Sequence, residues 1–169
     1  MSRAADFPPE MTVDELGEYG LQYMDDDAVE GFLSSMNIGV LGIPTDGAPY
    51  LIPMSYGYPG GSDIFFYFVV GNASRKETLA DAAESASFLV YNAETMFTWR
   101  SVLVEGTLRR LPDERRADLA EEQMPTWRPE IFEEASESGL TALYEFRIQE
   151  WTGLRQTGLP PAFRDPGDD

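Results

Sequence analysis

Short runs of alternating or continuous apolar residues, separated by turn sequences, occupy most of the chain between residues 38 and 151. Such runs, when rich in aromatic and β-branched side chains, are typical of strands, because successive side chains of a strand point to opposite faces. Turn sequences at 45–47 and 59–61 separate the first three runs. The pattern predicts six strands, at residues 38–43, 49–58, 63–70, 87–92, 98–111 and 143–151.

Helix signals lie before and between these strands. Asp27 and Glu30 have the spacing of a capping box, as do Ser74 and Glu77, and each pair precedes a short helical stretch. Two further helical segments are predicted, one starting at residue 112 and one over 129–136. Six strands with short hairpins and interspersed helices predict a mainly β protein with some α, namely a six-stranded antiparallel β-barrel with flanking helices.

The length of the chain suits one domain, because 169 residues can bury one sizeable core. Residues 1–24 contain adjacent prolines and few spaced apolar residues, so we expect an N-terminal arm there. The barrel domain is expected over 25–156, and a flexible C-terminal tail over 157–169.

The composition limits the chemical groups that this chain can use in catalysis or metal binding. The chain has no His and no Cys, which excludes disulfides, thiolate nucleophiles, imidazole general bases and the usual zinc and haem ligands. Chemistry must therefore use carboxylates, hydroxyls, cations or a bound cofactor. Twelve Lys and Arg oppose 30 Asp and Glu, so the formal charge is −18, and the acidic residues are spread along the chain.

A dispersed anionic surface has consequences for partners and location. Several phosphate contacts would need a basic face, so we expect no nucleic-acid partner. Salt screens self-repulsion of this kind, which is typical of halophile proteins. No long apolar run or signal peptide is evident, so we expect a cytoplasmic protein from a high-salt environment, without a membrane partner.

The segment 71–76 runs from the end of a predicted strand into a predicted helix start and carries the only lysine of the chain, Lys76, beside Arg75. Free backbone N–H groups at a helix start, together with these two cations, favour an anion such as phosphate. The alternative is an ordinary capping box in which the cations offset the charges of Glu77 and Asp81. The spacing alone leaves both interpretations open.

Two strands carry weaker signals. Alternation places Ser101 on one face with Trp99 and Leu103, where its hydroxyl either contacts a ligand or is an ordinary surface group. Pro53 lies within a predicted strand, which indicates an edge or bulge with unpaired backbone groups. Such groups can bind a flat heterocycle, although a proline can also simply protect an edge.

Taken in order, the segment 49–56, the Ser74-Arg75-Lys76 helix start and the segment 99–106 resemble the pyridoxamine 5′-phosphate oxidase-like FMN-binding split-barrel family. The resemblance covers roughly residues 27–151. It implies a split barrel that forms a homodimer, with two FMN molecules at the subunit interface.

By this resemblance, Arg75 and Lys76 bind the FMN phosphate with help from Ser74. The residues implied along the isoalloxazine edge are Ile52, Pro53, Met54 and Ser55. Val69 and Val70 would lie beside the ribityl chain or the ring, and Ser101 would face the flavin. Trp151 resembles an aromatic residue that the partner chain places near the ring, and its alternative role is that of a core tryptophan.

The chain also departs from named branches of this family. Relatives linked to nitroimidazole resistance have a His where Val69 stands, so neither a His-dependent mechanism nor haem ligation is expected. Of the basic and histidine residues with which the true oxidases hold the substrate phosphate, only Arg155 is a candidate remnant, so vitamin B6 oxidation is not expected.

The favoured function is that of an FMN-dependent oxidoreductase with an unidentified small-molecule substrate, electron donor and acceptor. An anionic donor such as a reduced nicotinamide would need a locally positive cleft, at Arg75 and Lys76 or at Arg109 and Arg110. A deazaflavin-dependent reductase is the first alternative. A flavin-binding or storage module without turnover, and a structural barrel without cofactor, are the others.

The charge yields a direct prediction. If self-repulsion among the acidic residues destabilises the folded chain, the melting temperature will rise as sodium chloride is raised from about 0.1 M to about 1 M, where the Debye length falls from about 10 Å to about 3 Å. Differential scanning calorimetry measures this shift. A melting temperature that does not increase over that range would contradict the halophilic interpretation.

Overall fold

The computed structural model describes residues 15–69, 74–116 and 141–159. The predicted helix over 129–136, Val70, most of the predicted arm and the residues after 159 lie outside these ranges. Within them, no helix is long and apolar enough to cross a membrane.

The elements follow the predicted order with two additions at the start, a 3-10 helix and a short strand. They are a 3-10 helix Gly17–Tyr19, β1 Leu21–Tyr23, α1 Asp26–Ser35, β2 Ile38–Ile43, β3 Tyr50–Gly57, β4 Asp63–Val69, α2 Arg75–Ala82, β5 Ala86–Thr95, β6 Thr98–Arg110, α3 Asp113–Arg116 and β7 Thr141–Thr157.

Six of the strands close into an antiparallel barrel in the order β7-β4-β3-β2-β5-β6, with β6 returning to pair with β7. This confirms the predicted six-stranded, mainly β architecture. The 17-residue strand β7 makes closure possible, because β6 pairs along nearly its whole length on one side. On the other side β4 pairs with its first half and β1 with its last residues.

The barrel is split between β3 and β4. These strands pair only at Tyr56 with Phe66 and at Gly57 with Phe65, whereas β3 pairs with β2 at six positions from Tyr50 to Ser55. In the described ranges, the first six residues of β3 therefore have a strand partner on one side only. Pro53 lies on this open edge, as its sequence context predicts.

The core lies inside the barrel and under α1. Inward residues of the strands are fully buried, among them Leu41, Phe88 and Val102 at 0% exposure. Helix α1 covers one end, where the Tyr56 hydroxyl donates to the Leu33 carbonyl at 2.6 Å. Burial raises the pKa of that hydroxyl above its ordinary value, so it remains a donor.

Some boundaries differ from the sequence prediction. Asp25, not Asp27, caps α1, and its carboxylate accepts from the Ala28 N–H at 2.9 Å. Three consecutive aspartates offer several candidate caps, and only the backbone angle at the helix entry selects one. Strand β1 is not predicted by the sequence pattern, because its three residues are too few to show alternation and depend on pairing with β7.

Gly106 marks a predicted irregularity that is present, a register shift between β6 and β7. A Cβ at this position would overlap the Arg147 carbonyl oxygen, which is backbone and cannot move aside freely. We expect Gly106→Ala to lower the free energy of unfolding by about 3 kcal/mol through this overlap.

The matched control is Gly31→Ala in α1, because a methyl group added at Gly31 would meet nothing within 4 Å apart from its chain neighbours and the backbone of its own helix. Alanine there should raise the free energy of unfolding by about 0.5–1 kcal/mol through helix propensity. Chemical denaturation of both variants at one salt concentration measures the two effects. A Gly106→Ala protein as stable as the native chain would refute the close approach.

Candidate functional site

The start of α2 lies against both strands that border the split. The Arg75 guanidinium lies over the Tyr50 ring at the start of β3, 5.1 Å from its centroid. The Lys76 ammonium lies 5.5 Å from the centroid of the Phe68 ring in β4. Two adjacent cations of one helical turn thus reach the two sides of the opening.

Ser74 is the N-cap of α2, in extended backbone conformation, but its side chain makes no capping hydrogen bond. The predicted helix start is confirmed and the predicted capping box is wrong. The Glu77 carboxylate, which would complete such a box, is instead paired with the Arg110 guanidinium at the end of β6. The backbone N–H groups of the first turn are therefore left without the side-chain acceptors that a capping box supplies.

The carboxylates of α2 do not offset its cations. Glu77 is paired with Arg110, and Asp81 accepts a hydrogen bond from the Tyr144 hydroxyl at 2.7 Å. In the part of the chain that the structure describes, neither Arg75 nor Lys76 forms an ion pair. Lys76 is half-buried, and burial lowers the pKa of its ammonium. An anion beside it would offset this unfavourable desolvation.

Of the predicted flavin residues, those of β3 and Val69 of β4 lie on opposite sides of the split. Continuing the register of Tyr56 with Phe66 would bring Pro53 opposite Val69, but the strands do not pair there. Val69 is 36% exposed at the end of β4. Ile52 and Met54 point toward the core, whereas Pro53 and Ser55 point outward, as alternation requires.

Ser101 and Trp151 lie elsewhere in the chain. Ser101 is on the outer face of β6, between Tyr91 of β5 and Leu154 of β7, at the far end of β6 from Arg110. The Trp151 indole packs against the main core, and its N–H donates to Asp26 of α1 at 2.8 Å. The fold of the single chain brings Ser74, Arg75 and Lys76 to the split between Val69 and the β3 edge, but it does not bring Ser101 or Trp151 there.

The outer face of β3, β2, β5 and β6 carries an apolar row that crosses all four strands, which the sequence interpretation did not recognise. The register aligns Pro53, Val40, Leu89 and Leu103 in one row, and Leu103 is 41% exposed. Other exposed apolar side chains on this face are Ile38 at 48%, Leu51 at 64% and Tyr91 at 55%. We call this surface the apolar outer face. One sequence feature could have revealed this surface: β2 has no polar side chain on either face.

The end of β6 borders a cavity of about 370 Å³ lined by Arg109, Arg110, Leu111, Pro112 and Arg115. The sequence offers the first two arginines as a positive cleft, but Arg109 is paired with Glu145 at 2.6 Å and Arg110 with Glu77. Their charge is therefore largely compensated. Over the described ranges, no three His, Cys, Asp or Glu residues are grouped to hold a metal ion.

Solved structures with the same fold span most of this chain. An FAD-binding protein from Mesorhizobium loti superposes with a TM-score of 0.62 at 18% identity, covering 82% of this chain and 98% of that chain. An FAD-binding protein from Mycobacterium smegmatis gives 0.58 at 18% identity, covering 81% and 100%. A second protein from that organism, which binds FAD and heme, gives 0.61 at 16% identity, covering 83% and 75%.

At these identities the superpositions establish the fold. A search of the curated proteins gives no match. The family model described as pyridoxamine 5′-phosphate oxidase matches residues 25–155, which is most of the chain and includes the β3 edge, the end of β4 and the start of α2 that border the split. By this match, the chain belongs to the pyridoxamine 5′-phosphate oxidase family.

Proposed function

We propose that this protein is a flavoprotein that binds FMN at the split of its barrel and acts, as a homodimer, as an oxidoreductase on a small-molecule substrate. The observation that carries the proposal is a pair of cations, Arg75 and Lys76, that form no ion pair with any described carboxylate and lie at a helix start without a side-chain cap, beside a strand edge that is open in the described ranges.

The chemistry of these groups fits the phosphate end of FMN. A guanidinium offers a planar fork of donors, an ammonium offers a point charge, and helix N–H groups add donors directed along the helix axis. The half-buried position of Lys76 matters, because a cation already removed from bulk water gains more from a bound anion than an exposed one does.

The flat ring of the flavin fits the split itself. Between Pro53 and Val69 two strand edges run past each other without pairing, and apolar side chains border the gap. These groups would hold the ring and keep water from one of its faces. Flavin supplies hydride and electron transfer when bound, and the protein contributes position and shielding.

Relatives of the same fold support a flavin. The proteins from Mesorhizobium loti and Mycobacterium smegmatis are described as binding FAD. We choose FMN for this chain because the two cations at α2 match a single terminal phosphate. The proposal names no substrate, electron donor or acceptor.

The apolar outer face supports the homodimer. A soluble monomer rarely exposes a contiguous apolar surface across four strands. A chain of charge −18 also repels its own copies, and the middle of this face, formed by Leu103, Leu89 and Val40, is a surface on which two copies could meet with Glu105 at its margin. Pro53, Ser55 and Ser101 all point out of the barrel, at the two borders of this face, and we infer that a second copy docked on it brings its Ser101 toward the split of the first.

The spectrum of the protein purified in high salt tests the proposal, with mass analysis of what denaturation releases. Flavin absorbance, a released mass equal to FMN, and bleaching by a reduced nicotinamide followed by reoxidation would support it. If the released cofactor is a deazaflavin, the assignment of FMN is wrong. If a bound flavin is reduced by no donor, the protein is a flavin-binding module and not an enzyme. A colourless protein that binds no added FMN would refute the proposal.

The phosphate site makes a quantitative prediction. We expect Lys76→Gln to weaken FMN binding about tenfold, because one charge-assisted contact is lost, and to leave riboflavin binding unchanged, because riboflavin has no phosphate. Flavin fluorescence quenching measures both dissociation constants. Arg147→Gln is the control, since Arg147 is paired with Asp63 at 3.2 Å on an exposed surface of β7. Equal FMN affinity in the native and Lys76→Gln proteins would refute the assignment.

The dimer makes a second prediction. Leu103→Glu places a negative charge in the middle of the apolar outer face. In a symmetric interface this charge would be buried against apolar groups of the second copy, which is itself strongly acidic. We expect a dimer for the native chain and a monomer for this variant by light scattering in about 1 M salt.

The charge-matched control is Gln149→Glu, at an exposed position of β7 outside this face, which should remain a dimer. A native chain that is monomeric under these conditions would contradict the homodimer, as would a Leu103→Glu protein that still dimerises.

A further inference from the structure

Helix α2 has little apolar anchoring of its own. Of its eight residues only Ala80 is buried, with Leu79 half-buried, whereas α1 buries Val29, Phe32 and Leu33. Because apolar packing fixes most short helices in proteins, a helix with so little of it needs another means to hold its orientation.

Two carboxylates on one side of α2 fix its orientation through polar contacts with the barrel. Glu77 and Asp81 are four residues apart and therefore lie on the same face of the helix. Arg110, at the end of β6, pairs with Glu77, and Tyr144, in β7, donates to Asp81 at 2.7 Å. Both contacts join the helix to strands of the closed half of the barrel.

The Tyr144 contact is built into the core. The side chain is fully buried, and its ring is stacked on Phe68 at 4.3 Å between centroids. Phe68 in turn lies under the Lys76 ammonium. Burial and the Asp81 carboxylate raise the pKa of the Tyr144 hydroxyl, which keeps it protonated as a donor. A continuous set of contacts thus links Asp81 to the position of Lys76.

The Arg110 contact has a second effect, on the helix start. Glu77 is the third residue of α2, the position from which a carboxylate reaches back to the N-cap N–H in a capping box. If it did so, a negative charge would occupy the donors and the positive end of the helix that an anion needs. Pairing with Arg110 keeps this carboxylate away.

We propose that Arg110 and Tyr144 are positioning residues for the anion site of α2: by holding the Glu77 and Asp81 carboxylates against the barrel, they leave the helix start, Arg75 and Lys76 free for the phosphate of a ligand. The inference rests on the proposed flavin phosphate site. It assigns a role to Tyr144, which the sequence analysis did not single out, and gives Arg110 a role other than that of a positive cleft for an electron donor.

Arg110→Gln tests the proposal, with FMN and riboflavin as probes at one fixed salt concentration. We expect FMN to bind about tenfold more weakly and riboflavin to bind as it does to the native chain, because the released Glu77 carboxylate affects only the phosphate. The matched control is Arg109→Gln, the neighbouring arginine, whose partner Glu145 belongs to β7 and not to α2. This control should keep native affinity for both flavins.

The double variant Arg110→Gln with Glu77→Gln separates positioning from the charge of Arg110 itself. If Arg110 acts by holding Glu77, removing that carboxylate restores FMN affinity to within about threefold of the native value. Tyr144→Phe should also weaken FMN more than riboflavin, since it keeps the stacked ring and loses only the donor to Asp81.

Several outcomes would overturn the inference. Equal weakening of FMN and riboflavin in Arg110→Gln would indicate a merely structural contact, and a double variant as weak as the single one would indicate that only the charge of Arg110 matters. If the native chain prefers FMN over riboflavin and Arg110→Gln keeps that preference, the positioning role fails and the phosphate site stands. A native chain without any preference for FMN would refute both.

Discussion

The short pairing between β3 and β4 is the constraint on which the rest of the molecule depends. Only Tyr56 and Gly57 of β3 pair with β4, so closure of the barrel rests on the long β7 strand and its partner β6. A fully paired barrel of six strands would fill its interior with side chains and leave no edge exposed. Here the described part of the β3 edge stays unpaired, and the start of α2 approaches both β3 and β4. An extended flat ligand could lie along this edge.

Electrostatics then determine what this opening can hold. The chain carries 30 acidic residues, and an anionic ligand would meet repulsion over most of its surface. At α2 the two nearest carboxylates are engaged by Arg110 and Tyr144, while Arg75 and Lys76 rest on aromatic rings. Aromatic faces hold a cation without neutralising it, so its charge remains available to an incoming anion. Among the described residues, the helix start therefore presents two cations without an ion-pair partner in a chain that is strongly acidic as a whole.

The apolar outer face is the surface through which the proposed homodimer would form. Four adjacent strands of this strongly acidic chain contribute one row of apolar side chains to it, and outward residues of the split belong to the same surface. Ser101 and Trp151 fall outside the cluster at α2 in the single chain. If a second copy completes the site, its Ser101 and Trp151 can lie near the α2 cluster of the first copy. This would explain why the family resemblance assigns these residues to one flavin site although they lie apart in the single chain.

Much of this protein follows from local sequence. Alternation and turn residues predict the six barrel strands, Pro53 predicts an open edge, and Ser74 predicts the start of α2, because each of these depends on the backbone preferences of a few neighbouring residues. Strand β1, the choice of Asp25 as a cap and the partners of Glu77 and Asp81 could not be predicted, because they depend on residues distant along the chain or on the exact path of the backbone. The sequence by itself determined which residues could bind an anion. Only the tertiary structure decided that their carboxylate neighbours are held elsewhere, since Arg110 and Tyr144 reach α2 through the closure of the barrel.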